Sequence, residues 1–255
     1  MSSHSARVAR IREIEEAAFR AWPASEVAEL GGWLLRADVG VTRRANSVLA
    51  LGTPSLNLGE AIEFVIDFYR ARRLIPRFQL SDVSCPSGLD DALADANFQY
   101  EMRTLVQTLS LKRLTRAHSK HEVTLNPAAT EEWLSALARF GFIDDHSLKA
   151  RKEILGRIPG RTRFASVRVN GTIVGVCVGV VDNGWLGIFG LVTDREHRRK
   201  GIANSLNRRL VSWAIESGAT RAYLQVESQN EPALTLYNRL GFRTEYEYHY
   251  RLLSE

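Results

Sequence analysis

The chain predicts an α/β fold of mixed, mostly antiparallel twisted sheets flanked by helices, and three observations carry that expectation. Apolar residues recur at helical spacing in some segments and alternate strictly in others along the whole 255 residues. Beyond residue 160, "NGT" at 170–172 and "DNG" at 182–184 break a valine-rich stretch into three strands with tight turns. The helix, strand, helix, strand order that ends the chain also occurs upstream, which points to two related halves.

In the upstream half, "GEAIEFVIDFYRARRLIPRFQLSD" reads as helix then strand. "LDDALADANFQYEMRTLVQTLSL" reads as a second helix, a Phe at its exit, and an alternating strand. Fewer strands are legible before residue 50 than a complete copy requires. A basic, polar segment at 111–127, "LKRLTRAHSKHEVTLNP", marks a boundary, so domains are expected over 1–115 and 122–255. In the second half, helices at about 130–140 and 145–157 precede the three strands. Ile202, Leu206, Leu210, Trp213 and Ala214 then share a helical face, with Gly218 as a C-cap. "RAYLQV" is a strand, and "NEPALTLYNRLGF" is a helix with Asn230 at its cap, Pro232 in its first turn and Gly241 at its end. "TEYEYHYRL" alternates and closes the region as a strand. Setting Gly59 beside Gly201 and Phe98 beside Phe242 keeps nearly equal spacing, with Leu93 where the second half has Tyr237. The first copy would thus keep the shell and lose the chemistry.

Composition excludes several classes. With 45% apolar and 25% charged residues the chain is neither disordered nor membrane-like, and no apolar run approaches the ~18 residues a spanning helix needs. The N-terminus mixes Glu and Arg at helical spacing without an apolar signal core, so a cytoplasmic address is expected, with no membrane partner. Cys85 and Cys177 make no disulfide framework, and the six histidines form no ligand cluster, so no metal is expected; His118 and His121 belong to the polar linker. The net charge of +5 admits nucleic acid or an anionic small ligand. Arg12, Arg20, Arg36, Arg72, Arg113 and Arg163 are scattered among acids, which disfavours a nucleic-acid module.

The sharpest cationic cluster is "TDREHRRKGIANSL" at 193–206, where Arg195, Arg198, Arg199 and Lys200 precede Gly201 and a helix. The unpaired N–H groups of a first helical turn and the macrodipole attract an anion there, and glycine lets the backbone approach it. A diphosphate fits. Neither a Walker loop nor a dinucleotide fingerprint occurs at this point. Taken alone, a solvated charge run explains the loop equally well.

Read with "LQVESQNEPALTLYNRLGF", residues 122–250 resemble the GNAT superfamily of acyl-CoA-dependent N-acyltransferases, and the first half resembles a degenerate copy, as in tandem GNAT proteins. The fold implied is two GNAT-like units in tandem. Arg195 stands where many members carry Pro. The resemblance implies that acetyl-CoA is the co-substrate and a small-molecule primary amine the acceptor, attacked directly in a ternary complex; a homodimer is compatible with it. It assigns a strand bulge that polarises the thioester carbonyl to Leu191, Val192 and Thr193. Arg198, Arg199, Lys200, Gly201, Ile202 and Ala203 would hold the diphosphate, and Asn230 the pantetheine arm. Tyr237 matches the tyrosine that protonates the departing thiolate, against packing as the plain reading. "WLGIFGLVT" offers no carboxylate as general base, leaving Glu227, working through water, balanced against a solvated strand end. Cys177, flanked by Gly175 and Gly179 that could leave room for a ligand, reads better as a buried structural thiol than as a nucleophile. Tyr246, Tyr248, Tyr250 and Trp185 read as sheet packing before an acceptor pocket, and Trp33, Arg43, Arg44 and Asn46 as structural before a reach toward the acceptor. A non-catalytic CoA-binding sensor is the competing function.

Overall fold

The computed structural model describes residues 3–111 and 119–254. Much of the expected boundary segment, 112–118 with Arg113 and His118, lies outside the described residues. The chain forms two compact units, Met1–Val106 with Glu227–Gln229 and Thr244–Glu255, and Gln107–Val226 with Asn230–Arg243.

The first unit opens with α1 (Ser3–Ala21), whose Ile11, Ile14 and Ala18 are buried along one face. Three strands precede or reach residue 50, more than the sequence reveals: β1 (Glu26–Leu30), β2 (Trp33–Ala37) and β3 (Val48–Ala50). They evade pattern reading because β3 has three residues and four of the five in "WLLRA" are buried, which erases alternation. β1 pairs antiparallel with β2, and β2 with β3. α2 (Leu58–Arg70) carries the chain to β4 (Arg77–Ser81), which runs parallel to β3. α3 (Leu89–Asp95) and β5 (Gln99–Ser110) follow. Trp33, Leu35, Val65, Tyr69, Phe78 and Phe98 form the centre of the core, with Phe78 edge-on to Trp33 at 5.3 Å and to Phe98 at 5.6 Å.

The second unit contains β6 (Thr124–Asn126), α4 (Glu131–Gly141), α5 (Asp145–Gly156), and the meander β7 (Arg161–Val169), β8 (Thr172–Asp182) and β9 (Trp185–Thr193). β6 to β9 pair antiparallel in sequence order. α6 (Ile202–Glu216) then crosses to β10 (Arg221–Glu227), parallel to β9, and α7 (Glu231–Arg239) follows. The arrangement β2, β3, α2, β4 thus matches β8, β9, α6, β10: an antiparallel pair, a helical crossover and a parallel partner. The helix exits agree as well. Phe98 N–H donates to the Leu93 carbonyl at 2.9 Å, and Phe242 N–H to that of Tyr237 at 3.0 Å.

The last strand, β11 (Arg243–Leu252), differs from the expected boundary. It pairs antiparallel with β4, from Tyr248↔Ser81 to Leu252↔Arg77, so all of it beyond Arg243 belongs to the first unit, not to a domain spanning 122–255. Alternation identifies a strand but not its partner. No helix among the described residues is long and apolar enough to cross a membrane.

Candidate active site

The site is built from β9 outward. β8 and β9 keep register from Asp182↔Trp185 to Val178↔Phe189, and again at Val176↔Val192 and Gly175↔Thr193. Cys177 therefore faces two residues, Gly190 and Leu191, and Gly190 has φ +59°. This is a bulge with its glycine in the left-handed region, and it withdraws backbone groups from the ladder. On the other side, β9 pairs with β10 only as far as Ile188↔Leu224. Leu191 thus belongs to the bulge, Val192 and Thr193 follow it in register with β8, and all three lie past the last β9–β10 pair.

The cationic loop follows directly. Asp194 opens a 3₁₀ turn over Arg195–His197, and its carboxylate meets His197 Nδ1 at 2.8 Å. That hydrogen bond holds the Asp194 carboxyl below the usual range. Arg199 (φ +60°) and Gly201 (φ +91°) take left-handed backbone conformations before α6 begins. Other helices of this unit are capped by a side chain: Thr130 accepts from Trp133 N–H at 3.1 Å, Asp144 from Ser147 at 2.8 Å, and Asn230 from Ala233 at 3.2 Å. α6 has no side-chain cap, which leaves its first amides to an external acceptor. In the first unit, the matching helix α2 is capped by Asn57, which accepts from Glu60 N–H at 3.0 Å, and Gly59 lies inside the helix. At this position the first unit has a side-chain cap where the second has a cationic cluster and none.

Arg195, Arg198, Arg199 and Lys200 are exposed, and among the described residues no carboxylate pairs with any of them. The Arg198 side chain turns back toward β9, its Nε donating to the Thr193 carbonyl at 3.4 Å. Ile202 is buried, so only its backbone is available to a ligand, while Ala203 is half-buried.

Gly175 and Gly179 leave no room for a ligand. A Cβ on Gly175 would lie 2.6 Å from Ile202 Cγ2, and one on Gly179 2.8 Å from Leu210 Cδ2. The two glycines instead seat α6 close against β8, which fixes where the helix mouth opens. Cys177 is buried, burial keeps its thiol protonated, and Sγ lies 3.4 Å from the Phe189 carbonyl oxygen. It is a structural residue.

Tyr237 sits on the inner face of α7, 5.9 Å from the Phe242 ring. Its phenol pKa is pushed up by burial and, in the same direction, by the Cys177 thiol. Asn230 is largely committed: its Oδ1 caps α7 and its carbonyl accepts from Leu234 N–H at 3.0 Å, which leaves the side-chain amide nitrogen for a ligand. Glu227 ends β10 as an exposed carboxylate and falls in the first unit, not with Asn230 and Tyr237 in the second as the expected domain 122–255 had it.

Tyr246, Tyr248 and Tyr250 are buried, with Tyr246 donating to Glu15 at 2.8 Å, as packing requires. Trp185 is buried beneath the Arg221 guanidinium at 4.2 Å. Trp33 donates to the Cys85 carbonyl at 2.7 Å, Arg43 to Glu101 at 2.9 Å, Arg44 lies over Trp22, and Asn46 ties its loop to Asp38, Gly40 and Thr42. All four are structural. Sequence reasoning missed two features: the Asp194–His197 pair, legible as a carboxylate three residues before an imidazole, and the approach of His121 to Lys200, for which local sequence carries no signal.

Comparison with known proteins bears on the family and the fold. Residues 8–251 match the family described as "Probable histone acetyltransferase Rv0428c C-terminal". The uncharacterized N-acetyltransferase YobR of Bacillus subtilis is 32% identical over 250 residues, 95% of this chain and 98% of that protein. A GCN5-related N-acetyltransferase from Kribbella flavida superposes with a TM-score of 0.72 at 16% identity, covering 95% of both chains. A tandem GNAT protein from the clavulanic acid biosynthesis pathway gives 0.63 at 12%, covering 94% of this chain and 87% of that one. The two structural likenesses bear on the fold alone. The chain belongs to the Rv0428c C-terminal family and is an N-acetyltransferase of the GNAT superfamily.

Proposed function

We propose that the protein moves an acetyl group from acetyl-CoA to a primary amine of a small molecule by direct attack in a ternary complex, with the chemistry in the second unit. The observation that supports this reading is that the second unit combines a glycine bulge at Gly190, a helix α6 without a side-chain cap and a buried Tyr237 phenol. In this reading the backbone amides of Arg198 to Ala203 and the surrounding cations hold the diphosphate, a fit supported by the missing cap and by the left-handed Gly201. The amides of Leu191, Val192 and Thr193 bind the pantetheine arm and stabilise charge on the thioester oxygen. Asn230 bonds the arm from the other side.

The amine nitrogen attacks the thioester carbon, and the carbon–sulfur bond breaks as the new amide forms. The leaving thiolate takes the Tyr237 proton, which solvent restores; the amine proton leaves to water. Burial keeps the phenol protonated at neutral pH, so its hydrogen is present to be donated to the departing sulfur. The retained tyrosine favours an enzyme over a CoA-binding sensor.

The test is thiol release from acetyl-CoA with a panel of small primary amines and, because the matching family is described as a histone acetyltransferase, a basic protein as competitor. Turnover with a small amine is expected. Acetyl-CoA binding without turnover would favour the sensor, and turnover with the basic protein alone would replace the acceptor. Arg198→Ala combined with Gly201→Val should abolish acetyl-CoA binding, and unchanged affinity by calorimetry would refute the loop's role.

A further inference from the structure

In sequence, Lys120 and His121 belong to a polar linker with no chemistry of its own. In the fold of the second unit they lie against the cationic loop. His121 N–H reaches Ser205 Oγ, in the first turn of α6, at 3.3 Å. His121 Nε2 lies 2.9 Å from the Lys200 carbonyl oxygen. A carbonyl only accepts, so Nε2 carries the hydrogen. Ser119 Oγ donates to the His121 carbonyl at 2.7 Å and closes the turn. The Lys120 stem crosses over Gly201, its Cδ 3.5 Å from the point a Cβ would occupy.

The carbonyl and the N–H of one trans peptide point in opposite directions. Holding the Lys200 oxygen on the His121 side therefore turns the Gly201 N–H to the other side. This peptide needs such a restraint. Gly201 at φ +91° lies before the helical ladder, and glycine tolerates the flipped orientation as readily as this one. After a flip, an anion at the helix mouth would meet a carbonyl oxygen in place of an N–H.

We propose that His121 is a positioning residue of the diphosphate site, holding the Lys200–Gly201 peptide with its amide toward the ligand while tying the loop to α6 through Ser205. The inference rests on the proposed acetyl-CoA reading. His121→Ala should raise the KM for acetyl-CoA about tenfold, the value of one well-placed hydrogen bond, and leave kcat within about twofold. Acetylpantetheine, which lacks the diphosphate, should show no change in KM. His121→Gln, whose amide nitrogen can reach the same carbonyl, should recover most of the lost affinity. Equal losses with both donors, or no rescue by glutamine, would overturn the positioning role. Should Arg198→Ala with Gly201→Val abolish acetyl-CoA binding while His121→Ala keeps the wild-type KM, only the role of His121 falls. Should the double variant bind acetyl-CoA normally, the diphosphate reading falls with it.

Discussion

Burial keeps the Tyr237 hydroxyl protonated well above neutral pH, so Tyr237→Phe removes one donor and almost no volume. Turnover should fall about 100-fold while the KM for acetyl-CoA stays within about twofold, as expected for a general acid. Unimpaired turnover would remove Tyr237 from the mechanism. Glu15 is the mirror case among acids. It is buried in the first unit, accepting hydrogen bonds from Tyr246 at 2.8 Å and Gln79 at 2.7 Å, with Arg36 on the far side of the Gln79 amide. Burial raises its pKa. The folded chain thus binds this proton more tightly than the unfolded chain, whose value lies near ~4.3. Its contribution to stability is greatest below that value and declines as pH rises through the folded pKa. The stability of Glu15→Gln minus that of wild type should therefore increase between about pH 4.5 and 7, read from urea midpoints. A difference that shrinks over this range would show the opposite shift.

At the scale of elements, α6 matters for where its first turn stands. Gly175 permits Ile202 to seat against β8, and a Cβ there would come within 2.6 Å of the Ile202 side chain. Gly175→Ala should destabilise by about 1–3 kcal/mol through overpacking and raise the KM for acetyl-CoA by displacing the helix mouth. Normal KM in a stable variant would detach the seat from the site. Gly190→Ala probes the bulge by strain in place of crowding: a Cβ would meet Leu137 only at 3.6 Å, but φ is +59°. The cost should be about 1 kcal/mol of stability, with a larger proportional loss of turnover. The helices, the meander and the Asn230 cap of this unit are legible as sequence, because each follows from periodicity or from a side chain bonding its own neighbourhood. The bulge position and the glycine seat are not, because each is set by the opposing strand or helix.

For the whole molecule, the chain does not divide at one point. β11 completes the first unit beside β4, so residues 122–255 expressed alone would leave the strand unpaired and expose Tyr246, Tyr248 and Tyr250. That fragment should aggregate or unfold without cooperativity, while the full chain unfolds cooperatively; a soluble, cooperative fragment would contradict the assignment of β11. The sequence by itself determined the order of the elements after residue 57 apart from β6, the cationic loop, the tyrosine and the repeated helix, strand, helix, strand order of the two halves, since all of these are written in local spacing. Tertiary structure alone decided the partner of the last strand, the three short strands before residue 51, the side of β8 filled by α6 and the reach of His121 to Lys200. Those depend on residues far apart in the chain meeting through packing, and no local pattern encodes which distant surface a side chain will find.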